Sequence, residues 1–461
     1  MFNFIKEKRY TALKIRKAME NSHIKSVWFI GNGFDLAHGL ETSYKHFIDW
    51  FWRETLIRIK NRGGFSYKDD YISVPNRFLT YDVKNGNVNF QDYLSNLHSG
   101  KITYKNRFLE IITQKTYLQN WVDIEEEYYQ QIKDIVQGKS QCYKDDIRRN
   151  LTAKTAVAKL NEDFEKIKQE LERFLLKDTD KTSKIEDIHN LFYDSLKLRD
   201  IASSKESLLM EYISEMLYSS SPTYRADEYY NNFRDNLFKE IAEKYKIQDR
   251  DVEIEHITNY LKNNKPNYFN DDLYKIFPRR TLILNFNYTE TESLYSNYET
   301  YKGDRPSCDL PLFFHVQTIH IHGELNKIDN PIIFGYGDEL ADEYKLSDKE
   351  YFKNLKTIKY LKTDNYKRLT SFADSDFFQI YIFGHSCGNS DRTLLNTLFE
   401  HENCISIKPF FHEKKENGKV TNDYEDTAIN ISRNFNIKNK AVFREKVVNE
   451  TYCKPLPQKE K

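Results

Sequence analysis

Four apolar residues running straight into a two-glycine turn constrain this 461-residue chain more than any other feature. Val27-Trp28-Phe29-Ile30 leads into Gly31-Asn32-Gly33, and Phe34-Asp35-Leu36-Ala37-His38-Gly39-Leu40 follows. The apolar run reads as a buried strand, and the glycines allow close approach of another group to the backbone. Thr42 and Ser43 are good helix caps, and Tyr44, Phe47, Ile48, Phe51, Trp52, Leu56 and Ile59 fall on one stripe at helical spacing. Strand, glycine turn and helix in this order are how an α/β sheet presents backbone amides to a phosphate. A plain tight turn between a core strand and a core helix fits a bare Gly-x-Gly equally well. The third glycine of the dinucleotide fingerprint would fall at Leu36, and the region about 20 residues on is the helix through Trp50 and Glu54. A hydride-transferring enzyme is therefore not expected.

The length implies two packed units, or one unit carrying a large insertion. Lys+Arg and Asp+Glu both number 70, so net charge gives no case for nucleic acid or an anionic membrane. The cysteines Cys142, Cys308, Cys387, Cys404 and Cys453 are scattered and form no CxxC, which fits reduced thiols. No apolar run approaches the roughly 20 residues that span a bilayer, and the basic N-terminus has no apolar signal core. A soluble, cytoplasmic protein is expected.

Strand-like runs gather at the two ends of the chain: 24–31, then 281–286, 316–322, 331–334, 378–383 and 404–407. Short apolar runs joined by helical segments indicate a mostly parallel sheet covered on both faces. Between them the period changes to three and four, as in Val157, Leu160, Phe164, Ile167, Leu171 and Phe174. The expected organisation is a first part of an α/β core at 1–62, a helical insertion at 63–275, a second part of the core at 276–450 and a disordered tail at 451–461.

Four segments carry a resemblance. They are Gly31–Leu40 with Thr42-Ser43-Tyr44, Asn285-Phe286-Asn287-Tyr288-Thr289-Glu290, Ile321-His322-Gly323-Glu324-Leu325, and Phe383-Gly384-His385-Ser386-Cys387-Gly388-Asn389-Ser390-Asp391. With Trp121-Val122-Asp123-Ile124-Glu125, the chain resembles the AbiH family of bacteriophage abortive infection proteins. That resemblance implies anti-phage defence. The order of the motifs is also similar, more distantly, to sirtuin-like NAD-consuming domains, which implies a Rossmann-like core and NAD or a related nucleotide as ligand or substrate, without a metal. On that likeness Asn287 and His322 fall on the catalytic positions. Gly31, Asn32, Gly33, Phe34, Asp35 and His38 fall on the first cofactor-binding turn, and Gly384, Ser386 and Asp391 on the late one. Asp35 stands where such domains usually carry a small polar residue, and Thr289 where an Asp often follows the Asn. The expected partners are the nucleotide, a phage or host protein as trigger, and a second copy of the chain. The alternative of a different class is a non-catalytic, nucleotide-gated interaction module.

Two rival constellations stand beside this reading. Gly384-His385-Ser386-Cys387-Gly388 matches the Gly-x-Ser-x-Gly elbow of a serine hydrolase, with Asp391 and then His401 or His412 downstream. The acid then lies only five positions beyond Ser386, and Asn389-Ser390-Asp391 also reads as a helix cap. His315, His320 and His322 suggest a metal, but no complete ligand spacing such as HExxH accompanies them.

Overall fold

The computed structural model describes residues 25–62, 66–75, 102–119, 123–143, 153–177, 182–192, 196–219, 228–264, 280–296, 315–337, 349–416 and 418–459. Its strands are β1 (Lys25–Ile30), β2 (Tyr67–Lys68), β3 (Ile72–Val74), β4 (Thr103–Tyr104), β5 (Arg280–Asn285), β6 (His315–His320), β7 (Phe378–Phe383), β8 (Cys404–Phe410), β9 (Glu413–Glu416) and β10 (Lys419–Asn422). Five of them form the main sheet in the order β6-β5-β1-β7-β8, and every neighbouring pair is parallel. Every residue of β1 and β7 is buried, which is why these strands read as unbroken apolar runs rather than alternating ones. The chain builds outward from β1 through β5 to β6, then returns to the other side of β1 with β7 and β8. The direction of winding thus reverses between β1 and β7, and a crevice opens beyond the carboxyl ends of strands at such a reversal.

Two turns meet there. Ile30 pairs with Phe383, so the chains leaving β1 and β7 are side by side. Gly31 donates its N–H to the Phe383 carbonyl at 3.1 Å, and Gly33 donates to the Gly384 carbonyl at 2.8 Å. A Cβ on Gly33 would lie 2.7 Å from Gly384 Cα, and one on Gly384 would lie 2.3 Å from Phe34 N. Gly384 also has φ +68°, which favours glycine for a second reason.

The long inserted stretch packs in two places. Helices Arg107–Gln119, Ile124–Val136 and Ala153–Leu175 share one core with helix Tyr44–Asn61, with residues of β2 and β3, and with Phe334, Tyr336 and Leu355. Helices Ser203–Ser219, Glu228–Tyr245 and Ile254–Asn263 pack separately, against Ile405 of β8. Strands β2, β3 and β4 form their own antiparallel sheet, so the stretch is not wholly helical. They are two or three residues long, too short to impose a period on the sequence.

Two further expectations are corrected. Pro331–Phe334 is not a strand: it is a loop returning beside β6, with Ile333 N–H donating to the His322 carbonyl at 2.7 Å. Ile333 and Phe334 are buried, so their apolar character records burial rather than pairing. The tail is placed through residue 459 instead of being disordered. Cys453 and Leu456 are buried, Leu456 N–H donates to Phe411 O, and Lys459 N–H donates to Ala37 O, the last two bonds both 2.8 Å long. Those few contacts outweigh the proline- and lysine-rich composition that suggested disorder.

The turn-on-turn contact yields a direct prediction. Gly33→Ala and Gly384→Ala should each destabilise the chain by about 1–3 kcal/mol, the usual penalty for overpacking a close contact, as read from the denaturant midpoint; Gly337→Ala, whose Cβ meets only ordinary contacts at 3.6 Å and beyond, should show no overpacking penalty.

Candidate functional site

Beyond the reversal lies a buried charged centre assembled from four parts of the chain. His322 stands two residues past β6, while His385 and Asp391 follow β7. Lys356 comes from the short helix Lys356–Lys359, and Glu125 from the inserted helix Ile124–Val136. All five side chains are buried. Lys356 Nζ donates to Asp391 Oδ1 at 2.8 Å and to Glu125 Oε2 at 2.9 Å. The same Asp391 oxygen lies 2.9 Å from His322 Nε2, and Asp391 Oδ2 lies 3.5 Å from His385 Nε2. The second Glu125 oxygen accepts the Gly335 N–H at 2.8 Å. A desolvated ion cluster persists only when each member finds a partner, and each does here.

The electrostatics follow from burial opposed by pairing. Burial favours a protonated Asp391, but Lys356 and His322 hold its carboxyl well below the usual carboxylate range. Burial also opposes the Lys356 charge, and Asp391 and Glu125 overcome it and raise its pKa. Glu125 is pushed up to about 7 by burial, with Lys356 pulling the other way and Asp391 and Asp123 adding to the rise. Burial and the Lys356 cation lower His322 against the pull of Asp391.

Hydrogen bonding then selects the form of each ring. His322 Nδ1 lies 3.1 Å from the Phe286 carbonyl, which only accepts, so Nδ1 carries a proton. In the neutral ring Nε2 is bare, facing Asp391 and, at 3.3 Å, the Tyr360 hydroxyl. A bare nitrogen 2.9 Å from a carboxylate oxygen needs a proton between them, so His322 and Asp391 titrate as a pair. His385 Nδ1 accepts from Cys387 N–H at 3.1 Å, which leaves the proton on its Nε2, aimed at Asp391.

Partly accessible residues border this floor. Tyr44 and Tyr288 are raised well above the ordinary phenol value, first by burial and then by Glu125, so both stay neutral hydroxyls. Asp123 caps the inserted helix, with Oδ1 accepting the Glu125 and Glu126 N–H groups, both at 3.0 Å. A Cβ on Gly388 would lie 3.9 Å from Asp123 Oδ2, which places the late turn against the inserted layer. Asn287 Nδ2 donates to the Gly31 carbonyl at 3.0 Å, tying the end of β5 to the first turn. Asn32 accepts from Thr42 Oγ1 at 2.7 Å.

The residues expected from sequence separate into two groups. His322 and Asp391 come together in the floor, and Asn287 and Asn32 lie at its edge. The amides of Gly31 and Gly33 are committed to backbone carbonyls, so the expected phosphate cradle is instead a clamp between two turns. Phe34 is buried beneath that clamp. His38 has both ring nitrogens engaged, by Phe34 O and by Tyr295 OH, each at 2.7 Å. Gly384 forms the other half of the clamp. Asp35 is also buried, with Oδ2 accepting from Thr289 Oγ1 at 2.6 Å.

Ser386 is exposed, and the hydrolase constellation does not assemble around it. His385 and Asp391 face each other in the floor, while His401 pairs with Asp374 at 3.0 Å, before β8 and so at the opposite edge of the sheet. His320 and His322 do not converge either: His320 Nε2 pairs with Glu292 at 2.9 Å, His322 with Asp391. Lys356 and Tyr360 escaped the sequence reading, since no motif surrounds them. Asp123 and Glu125 did carry a signal, an acid-rich helix start within a recurring segment whose Trp121 and Val122 lie outside the described residues.

Asp35 sets a measurable pH dependence. Burial raises its carboxyl from the ordinary 3.8 to about 6, so the folded chain holds this proton more tightly than the unfolded chain. The stability it contributes is complete below 3.8 and is lost as pH rises through about 6. Asp35→Asn should flatten that part of the Tm-against-pH curve.

Comparison with known families adds one match, to the model described as Bacteriophage abortive infection AbiH, over residues 197–412. Neither a curated protein nor a solved structure matches the chain. The matched span includes β5 to β8 and holds His322, Lys356, His385 and Asp391, four of the five floor residues; Glu125 precedes it. Over those residues the chain is similar to the AbiH family of bacteriophage abortive infection proteins.

Proposed function

We propose that this protein acts in anti-phage defence by binding a nucleotide on a Rossmann-like, sirtuin-like core and hydrolysing NAD at the floor built on His322. The observation that carries the reading is the His322–Asp391 pair, 2.9 Å apart at the carboxyl edge of a parallel sheet, beside the reversal between β1 and β7. The strand order supports a Rossmann-like core, because numbering the five strands along the chain gives 3-2-1-4-5. Two departures from the sirtuin-like pattern also compensate each other. Asp35 and Thr289, the two residues out of place, hydrogen-bond at 2.6 Å, so the acid and the small hydroxyl have exchanged positions.

The chemistry asks little of the protein. Cleaving the bond between nicotinamide and ribose releases a neutral ring, so the leaving group needs no acid. Water adds to the ribose carbon, and its proton passes to the His322–Asp391 pair in the form that has given up its shared proton. Asp391, Glu125 and Asp123 against Lys356 leave an excess of negative charge, which stabilises an oxocarbenium-like transition state. Asn287 orients ribose or water from the edge. Because the Gly31 and Gly33 amides are committed, substrate orientation falls to side chains such as Asn32, Tyr44 and Tyr288. The setting is cytoplasmic, where a phage or host protein supplies the trigger and a second copy of the chain is a candidate partner.

A second reading is favoured by one observation: His322 is only 4% exposed and its ring nitrogens are already engaged. Such a floor also suits a nucleotide-gated interaction module without catalysis. Incubating the purified protein with NAD separates the two, with nicotinamide release expected for the enzyme. His322→Gln and Asn287→Ala should each lower that release by about a hundredfold or more, the usual scale for losing a general base or its orienting group, and abolish phage protection. Full protection by both variants, at wild-type abundance, would favour the gated module.

A further inference from the structure

We propose that Glu125 and Lys356 are positioning residues for His322, and that the site is incomplete without the inserted helix that carries Glu125. This rests on the reading of His322 as the proton acceptor of the site. The geometry is a chain through one oxygen. Lys356 Nζ lies 2.9 Å from Glu125 Oε2 and 2.8 Å from Asp391 Oδ1, and that same Oδ1 lies 2.9 Å from His322 Nε2. Ammonium and imidazole therefore compete for a single acceptor.

The competition couples two layers of the fold. With Lys356 drawn to Asp391, the carboxylate is neutralised and its hold on a His322 proton weakens. With Lys356 drawn to Glu125, Asp391 retains its charge and keeps the proton on His322. Glu125 is anchored on both sides, by the Gly335 N–H at 2.8 Å and by the Asp123 cap on its own N–H at 3.0 Å. A shift of helix Ile124–Val136 thus reaches His322 without moving a strand. The other groups that face the His322 ring are the Phe286 carbonyl, the Tyr360 hydroxyl and, across Asp391, His385. Tyr288 stands by Lys356 and Asp391 as a neutral phenol. None of these connects His322 to the inserted layer; the Lys356–Glu125 pair does.

The test needs no substrate. The full chain is labelled at histidine Cε1, the His322 resonance is assigned by its loss in His322→Gln, and its titration is followed by NMR. Lys356→Met should raise the apparent pKa of His322 by about one unit or more, since a cation beside a histidine disfavours its charged form. Glu125→Gln should lower it, because Lys356 then serves Asp391 alone. The double variant should return towards wild type, and Lys356→Arg should stay near it. If Lys356→Met fails to fold, Glu125→Gln and the double variant carry the test, as neither leaves a carboxylate without a partner. A purely structural role predicts unchanged His322 titration in every folded variant, and that result overturns the proposal. NAD cleavage measured on the same samples keeps the two readings apart. Shifted titrations without nicotinamide release leave the coupling standing and remove the hydrolytic role.

Discussion

A buried ammonium organises the layers at the carboxyl edge of the main sheet. Lys356 is 1% exposed, and an isolated charge at such depth would be expelled or neutralised. It is kept by two carboxylates from different layers, Asp391 after β7 and Glu125 on the inserted helix. The requirement to pair Lys356 twice fixes how the inserted layer meets the sheet at this point. It also fixes Asp391, and through Asp391 both His322 and His385. Replacing a buried ion cluster wholesale with apolar residues is often neutral for stability, so the cluster is weak evidence of added folding energy.

The glycine turns serve that arrangement from below. Gly31, Gly33 and Gly384 let two backbones touch at the reversal between β1 and β7, which brings Asn287 and the late turn to the same edge. A glycine pair after a first strand thus has two physical meanings, an open cradle for phosphate or a close backbone contact. Here the amides point at carbonyls of the neighbouring strand end, and the contact is what the glycines allow.

The sheet was legible because its strands are buried on both faces. β1, β5, β7 and β8 each announce themselves as apolar runs, and the expected limits agree with the observed ones to within a few residues. The amphipathic helices were legible for the complementary reason, as in Ala153–Leu175, where Val157, Leu160, Phe164 and Ile167 are all fully buried. Pro331–Phe334 misled because burial alone makes a short segment apolar. The tail misled because composition reports the average of a segment, while Leu456 and a few backbone bonds decide its place.

The sequence by itself determined which segments are strands and helices, that the strands form a largely parallel sheet, and that His322 and Asp391 end up near strand termini. Those properties follow from local periodicity and from motifs whose residues lie close together in the chain. Only the tertiary structure decided that Glu125 and Lys356, 231 positions apart, share one ion cluster, and that Gly31 packs against Gly384 and His385. Pairing of buried charges and close contact of backbones are set by how layers dock. No local pattern of residues encodes which distant partner will satisfy them.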